Sequence, residues 1–135
     1  MASRFITKAL ATAALGIALS PLLGAATTVS PFAGSWSGTW SEPGVVGAHD
    51  WTISEAGQIT GTIYNITYDI GGATVGHVGA DGKLMVIFLT PGADPSISGF
   101  PFQGTAMIDG EGNLVASCTG MYLGGPLMDS ILERN

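Results

Sequence analysis

Three segments of this chain share one pattern and decide its fold: WTISEAGQITGTI at 51–63, GHVGADGKLMVIF at 76–88 and AMIDGEGNLVASC at 106–118. In each, short alternating runs flank a turn that closes on a glycine, and a polar residue and then Ile or Leu follow. The three glycines are Gly57, Gly82 and Gly112. Because only glycine adopts positive φ without strain, the pattern predicts a hairpin with a loop of three or four residues. Three hairpins give six strands.

The same alignment predicts which side chains face inward, because side chains alternate between the two faces of a strand. The aligned apolar positions are Ile53, Val78 and Ile108, then Ile59, Leu84 and Leu114, then Ile63, Phe88 and Cys118. Cys118 is the lone cysteine, so the chain forms no intramolecular disulfide, and we expect a buried, unreactive thiol.

Further strands flank these hairpins. Residues 34–41 predict a first strand with Trp36 and Trp40 on one face, and residues 128–134 predict a last strand. The segment 64–70 continues a strand or adds one. A meander of this size either closes or leaves edges exposed, and closure removes the edges. We therefore predict an all-β, up-and-down antiparallel β-barrel of about eight strands over residues 27–135, with a two-sheet β-sandwich as the alternative.

The first 26 residues have the pattern of a cleavable signal peptide. Arg4 and Lys8 precede an apolar run over 9–23, and Gly24 and Ala26 fit the small-residue cleavage positions. The run is shorter than the roughly 20 residues of a spanning helix, which disfavours the alternative of an uncleaved membrane anchor. We expect export to the periplasm or the outside of the cell.

Removal of that segment leaves two basic residues, Lys83 and Arg134, against ten acidic ones, a net charge of about −8. Binding to phosphates depends on Lys and Arg, so the composition argues against a nucleic-acid or anionic-membrane partner.

The first strand contains Gly-x-Trp twice, in GSWSGTW at 34–40, and the last strand carries Arg134. This pattern resembles the calycin superfamily, the lipocalin and avidin type of small-molecule-binding barrel. The resemblance implies that Trp36 closes one end of the barrel and that Arg134 packs against it. It does not extend to biotin binding, since Glu42 and Ile63 stand where the avidin pattern has Asn and Tyr.

From this architecture we expect a protein that binds a small, mainly apolar ligand without catalysis, cofactor or metal. An eight-stranded barrel holds either packed side chains or one small ligand, and the sequence leaves both open. The candidate ligand-binding residues are Trp36, Trp40, Trp51, Ile63, Tyr64 and Phe88.

The alternative function is a structural, cell-surface or protein-interaction module, including self-assembly or inhibition of an extracellular enzyme. Residues 83–90 are apolar on both faces, so Met85, Ile87 and Leu89 form an apolar outer stripe. Such stripes mark contact surfaces, here a homo-oligomer contact, unless the connection at residues 64–72 covers them.

Catalytic and metal sites are weakly indicated. His49 and Asp50 form the best acid–base pair, but His49 follows a Gly-rich loop and we expect it to be solvated. His77 aligns with the outward Thr52, and the spacing of the two histidines and Cys118 matches no zinc pattern. Residues 109–113 alternate oxygen-bearing side chains as calcium loops do, yet turn chemistry explains them.

Overall fold

The computed structural model describes residues 28–89, 99–121 and 127–135, which form one closed antiparallel sheet. The strands are β1 Gly34–Glu42, β2 Val45–Ile53, β3 Gln58–Asn65, β4 Ile70–Val78, β5 Lys83–Leu89, β6 Phe100–Ile108, β7 Leu114–Gly120 and β8 Leu127–Arg134. Each strand pairs with the next one, and β1 also pairs with β8. The prediction of an up-and-down barrel is confirmed, and the sandwich alternative is wrong. The predicted signal peptide, 1–26, lies outside the described residues.

The three repeated segments form the hairpins β2–β3, β4–β5 and β6–β7, as predicted. In the first, the N–H of Gly57 donates to the carbonyl of Ser54 at 2.9 Å, and the N–H of Ser54 donates to the carbonyl of Gln58 at 2.9 Å. The same pair of bonds recurs at residues 79, 82 and 83 and at 109, 112 and 113. The closing glycines have φ of 86°, 88° and 83°, so the turns are three-residue loops closed by a left-handed glycine.

The turn glycines differ in what surrounds them. A Cβ on Gly82 would lie 2.3 Å from the carbonyl oxygen of Ala106, whereas a Cβ on Gly112 would meet no atom of the described residues within 4 Å. The carbonyl of Gly82 also accepts the N–H of Ala106 at 2.8 Å, which joins this turn to β6. The turn at Gly82 is therefore part of the barrel wall.

We expect Gly112→Ala to lower the free energy of unfolding by about 1–2 kcal/mol, because the alanine must adopt the left-handed conformation. Gly82→Ala carries the same strain and also displaces the Ala106 carbonyl, so its loss should be clearly larger. Urea unfolding of both variants measures the difference. Equal losses would show that the packing around Gly82 has no effect.

Inward and outward faces follow the predicted alternation. Eight of the nine aligned apolar residues are buried in the barrel core, and the ninth, Ile108, is half-buried against it. Tyr64 and Asn65 continue β3, as one of the two predictions has it, and residues 66–69 form the turn before β4 and add no further strand. The apolar side chains there are exposed: Tyr64, Ile66, Tyr68 and Ile70.

Several strands have glycine at an inward position where the adjacent strand comes very close. An added Cβ would lie 1.9–2.2 Å from a carbonyl oxygen of the neighbouring strand at Gly38, Gly61, Gly76 and Gly104. Glycine in a strand interior marks such close backbone approach and allows the tight bends that a small barrel needs. These glycines therefore contribute to closure.

The antiparallel order defines two ends of the barrel. One end carries the three repeated turns, the start of β1 and the end of β8. The other carries the β1–β2 and β3–β4 turns and the strand ends at Leu89, Phe100, Gly120 and Leu127. The described residues include no helix long and apolar enough to cross a membrane.

Candidate functional site

The end that carries the repeated turns is closed by side chains. Trp36 is fully buried, and its Nε1–H donates to the carbonyl of Phe32 at 2.8 Å. Arg134 places its Cζ 4.1 Å from the centroid of the Trp36 ring and donates from Nη1 to the carbonyl of Ala33 at 2.6 Å. This is the contact that the calycin resemblance implies. Phe32 is also buried in the core and adds to the closure.

A cluster of aromatic rings extends through the interior from Trp51, which pairs in register with Trp36 at the closed end, to Phe88 near the end of β5. His49 lies at its centre, with ring centroids 4.8 Å from Trp51 and 5.7 Å from Phe88. Trp40 lies 6.1 Å from His49, and Phe102 lies 5.2 Å from Phe88. Four strands thus contribute rings to one buried group inside the barrel, which we call the aromatic cluster.

The prediction that His49 is solvated is wrong. His49 lies in the middle of β2 on the inward face, with 2% of its side chain exposed. Inward-facing positions alternate along β2 through Ile53 and Trp51, and the same alternation extends back to position 49. This pattern in the sequence would have predicted that His49 faces inward. The Gly-rich residues before it suggested a loop, but Gly47 lies within β2, where the indole of Trp40 and the backbone of Tyr64 fill the space of a Cβ.

The polar atoms in this interior are not all paired. The two ring nitrogens of His49, the Nε1 of Trp51 and the Oγ1 of Thr74 are buried without a hydrogen-bond partner among the described residues. By contrast, the indole of Trp40 donates to the carbonyl of Ala48 at 3.2 Å, and that of Trp36 is paired as described above. Buried polar groups in folded proteins are nearly always hydrogen-bonded, so these groups need an explanation.

Strand register places residues without side chains beside these polar groups. Trp51 is opposite Gly61, and Gly61 is opposite Thr74. His49 is opposite Gly38 on one side, and on the other side Ile63 separates it from Gly72. The polar groups of β2 and β4 therefore flank the inward glycines of β1, β3 and β4.

The buried interior of the described residues contains no Asp, Glu, Lys or Arg. Burial lowers the pKa of His49 to about 3, so its ring is neutral near pH 7. Burial, and secondarily the charge of Asp129, raises the pKa of the Cys118 thiol to about 12. The part of the interior formed by the described residues is uncharged at neutral pH, and the expectation of an unreactive thiol agrees with this pKa.

Most of the predicted ligand-binding residues are buried and face inward: Trp36, Trp40, Trp51, Ile63 and Phe88. Tyr64 does not face the interior, unlike the other predicted residues. It lies outside the barrel with 41% of its side chain exposed, and its hydroxyl donates to the carboxylate of Asp69. It follows the inward Ile63 directly, and adjacent residues of a strand face opposite ways. Sequence reasoning missed His49, Thr74 and Phe102.

The predicted outer stripe is present on β5. Met85 and Leu89 are exposed and Ile87 is half-buried. Ile87 pairs in register with Val75 on β4 and with Pro101 on β6, which widens the apolar surface. Residues 64–72 do not cover Met85 and Leu89.

The candidate acid–base pair is not assembled, because His49 faces inward and Asp50 faces solvent, where it accepts the Ser37 hydroxyl at 2.6 Å. His77 is exposed, as predicted. The carboxylate of Asp109 accepts the N–H groups of Glu111 and Asn113 at 2.8 and 2.9 Å, which is turn chemistry. In the part of the chain that the structure describes, no three His, Cys, Asp or Glu are grouped to hold a metal ion.

Fold and site together define a closed, eight-stranded antiparallel barrel with one end sealed by Trp36 and Arg134 and an aromatic interior that carries unpaired polar atoms. No protein-family model, curated protein or solved structure matches the chain.

Proposed function

We propose that this protein is an exported, calycin-like binding protein that holds a small, mainly apolar ligand inside its barrel and does not transform it. The observation that carries the proposal is the imidazole of His49, which is buried among aromatic rings with both nitrogens unpaired among the described residues.

A purely structural core gains nothing from this histidine. Leaving a buried polar group unpaired costs about 1–3 kcal/mol, and an apolar residue of similar size removes that cost. Trp51 and Thr74 add two more unpaired groups in the same interior. A bound molecule that pairs with them would account for all three residues together.

The shape of the barrel supports the same function. The contact between Trp36 and Arg134 seals one end. The aromatic cluster lies between that seal and the opposite end, and aromatic side chains with a few polar groups among them are typical of the lining of small-molecule sites. The separation of His49 from Asp50, and the raised pKa of Cys118, argue against acid–base or thiol catalysis at this site.

Native mass spectrometry tests the proposal. The full chain is expressed in the organism that encodes it and purified as its cells process it. We expect the native mass to exceed the denatured mass by one small molecule, and the denatured mass to show loss of residues 1–26. The variant His49→Leu should lose the added mass, whereas Tyr64→Phe, altered outside the barrel, should keep it. Equal native and denatured masses for the wild type would contradict the proposal.

The outer stripe supports a second candidate, self-association. This apolar surface comprises the exposed Met85 and Leu89 on β5 and, through Ile87, reaches Val75 on β4 and Pro101 on β6. Sedimentation equilibrium of the wild type against Met85→Lys tests this function. A dimer that dissociates in the variant favours it, and a monomeric wild type contradicts it.

A further inference from the structure

We infer that the ligand of this barrel is an uncharged, ring-containing molecule that carries both a hydrogen-bond acceptor and a hydrogen-bond donor, such as an amide or a lactam. This inference rests on the proposed function and specifies the chemical class of the ligand. It follows from the unpaired atoms of His49, Trp51 and Thr74 and from the side chains around them.

The hydrogen-bonding capacity of the three residues sets the polar part of the ligand. The indole of Trp51 is a donor only, so it requires an acceptor atom. A neutral imidazole has one N–H donor and one acceptor nitrogen, and the hydroxyl of Thr74 can act in either sense. A ligand with a carbonyl oxygen and an N–H or O–H group satisfies these atoms, whereas a hydrocarbon leaves them unpaired.

The electrostatics of the interior exclude a charged group. No Asp, Glu, Lys or Arg is buried in the described interior, and Arg134 is exposed at the sealed end. Burying an ion without a partner is far more costly than burying a neutral polar group. A carboxylate ligand would need a protonated His49, and burial among aromatic rings opposes that protonation.

The aromatic cluster sets the apolar part. Trp40, Trp51 and Phe88 all lie within about 6 Å of the His49 ring, measured between centroids. Aromatic rings prefer offset-stacked or edge-to-face partners at such distances. The rings of the protein pack against one another at these distances, and a planar ring in the ligand would extend this packing next to the polar atoms.

Three probes with one ring separate these properties: benzamide, which is uncharged with an acceptor and a donor; benzoate, which is its anionic counterpart; and toluene, which has no hydrogen-bonding group. The ¹⁵N-labelled protein is titrated with each at pH 7, and the indole N–H resonances are followed by NMR. We expect benzamide to shift the Trp51 resonance, to leave the paired Trp36 resonance in place, and to bind at least tenfold more tightly than benzoate or toluene.

Two variants test the assignment of the polar atoms. Thr74→Val removes the hydroxyl at nearly constant volume, and His49→Leu removes the imidazole. Each should weaken benzamide binding several-fold and reduce the preference for benzamide over toluene, whereas His77→Gln on the outer surface should behave as wild type.

The outcomes separate the two proposals. Benzoate or toluene binding as tightly as benzamide would overturn the inference about ligand chemistry and leave the proposed function standing. If none of the three probes binds, the inference falls, and native mass spectrometry decides the proposed function on its own.

Discussion

Replacing Gly104 with alanine is expected to lower the free energy of unfolding by about 3 kcal/mol or more, the upper range for overpacking a core. The new Cβ would lie 1.9 Å from the carbonyl oxygen of Ser117 and 2.7 Å from the Cα of Cys118. Both atoms belong to the backbone of β7, which pairs with β6 at this point, so no side chain can rotate away to make room. The two strands must separate, and closure of the barrel is weakened.

Gly110→Ala is the matched control for this change. Gly110 lies in the β6–β7 turn without a positive φ, and no atom in the described part of the chain lies within 4 Å of an added Cβ. We expect its stability to stay within about 0.5 kcal/mol of the wild type, as for most surface substitutions. Urea unfolding followed by tryptophan fluorescence measures both variants. If Gly104→Ala is as stable as Gly110→Ala, the close strand approach at residue 104 is contradicted.

Acid is expected to destabilise the ligand-free protein through His49. Burial lowers the folded-state pKa of His49 to about 3, against 6.5 when the chain is unfolded. Between these values the unfolded state binds the proton and the folded state does not, so stability falls as pH falls. The loss begins as pH drops through 6.5, reaches about 1.4 kcal/mol per pH unit, and ends near pH 3.

The variant His49→Leu isolates this contribution from that of the carboxylates. Between pH 7 and pH 4 the wild type should lose about 3 kcal/mol more stability than the variant. His77→Gln, which removes the exposed histidine, should follow the wild type. The free energy of unfolding at a series of pH values gives all three curves. Parallel curves for the wild type and His49→Leu would mean that His49 is protonated as easily in the fold as in the unfolded chain.

The alternating residues and glycine turns were sufficient to predict the barrel. These features are local: the hydrophobic period, the positive-φ glycine and the polar residue after it all fall within a few residues of one another. They can therefore be recognised in a single sequence. The same periodicity assigned the inward faces of Ile53, Val78 and Leu84 and the outer stripe around Met85. The contact between Trp36 and Arg134, which joins residues far apart in the chain, came only from the resemblance to calycins.

The polar part of the site was less predictable, for physical reasons. The alternating pattern predicts that polar residues face outward. A histidine or threonine at an inward position therefore looks like a break in the pattern. Thr74 also stands among Gly71, Gly72 and Gly76, which have no side chains to mark a face. Tyr64 was assigned to the interior beside Ile63, although two adjacent residues of a strand cannot both face it. Only the three-dimensional arrangement shows that the unpaired atoms share one interior.

A crystal structure of the protein, purified from the organism that encodes it, shows whether a ligand occupies the barrel. We expect electron density for one uncharged, ring-containing molecule next to the aromatic cluster, within hydrogen-bonding distance of His49, Trp51 or Thr74. Finding these atoms paired with protein groups or ordered water alone, with no other molecule in the barrel, would contradict it.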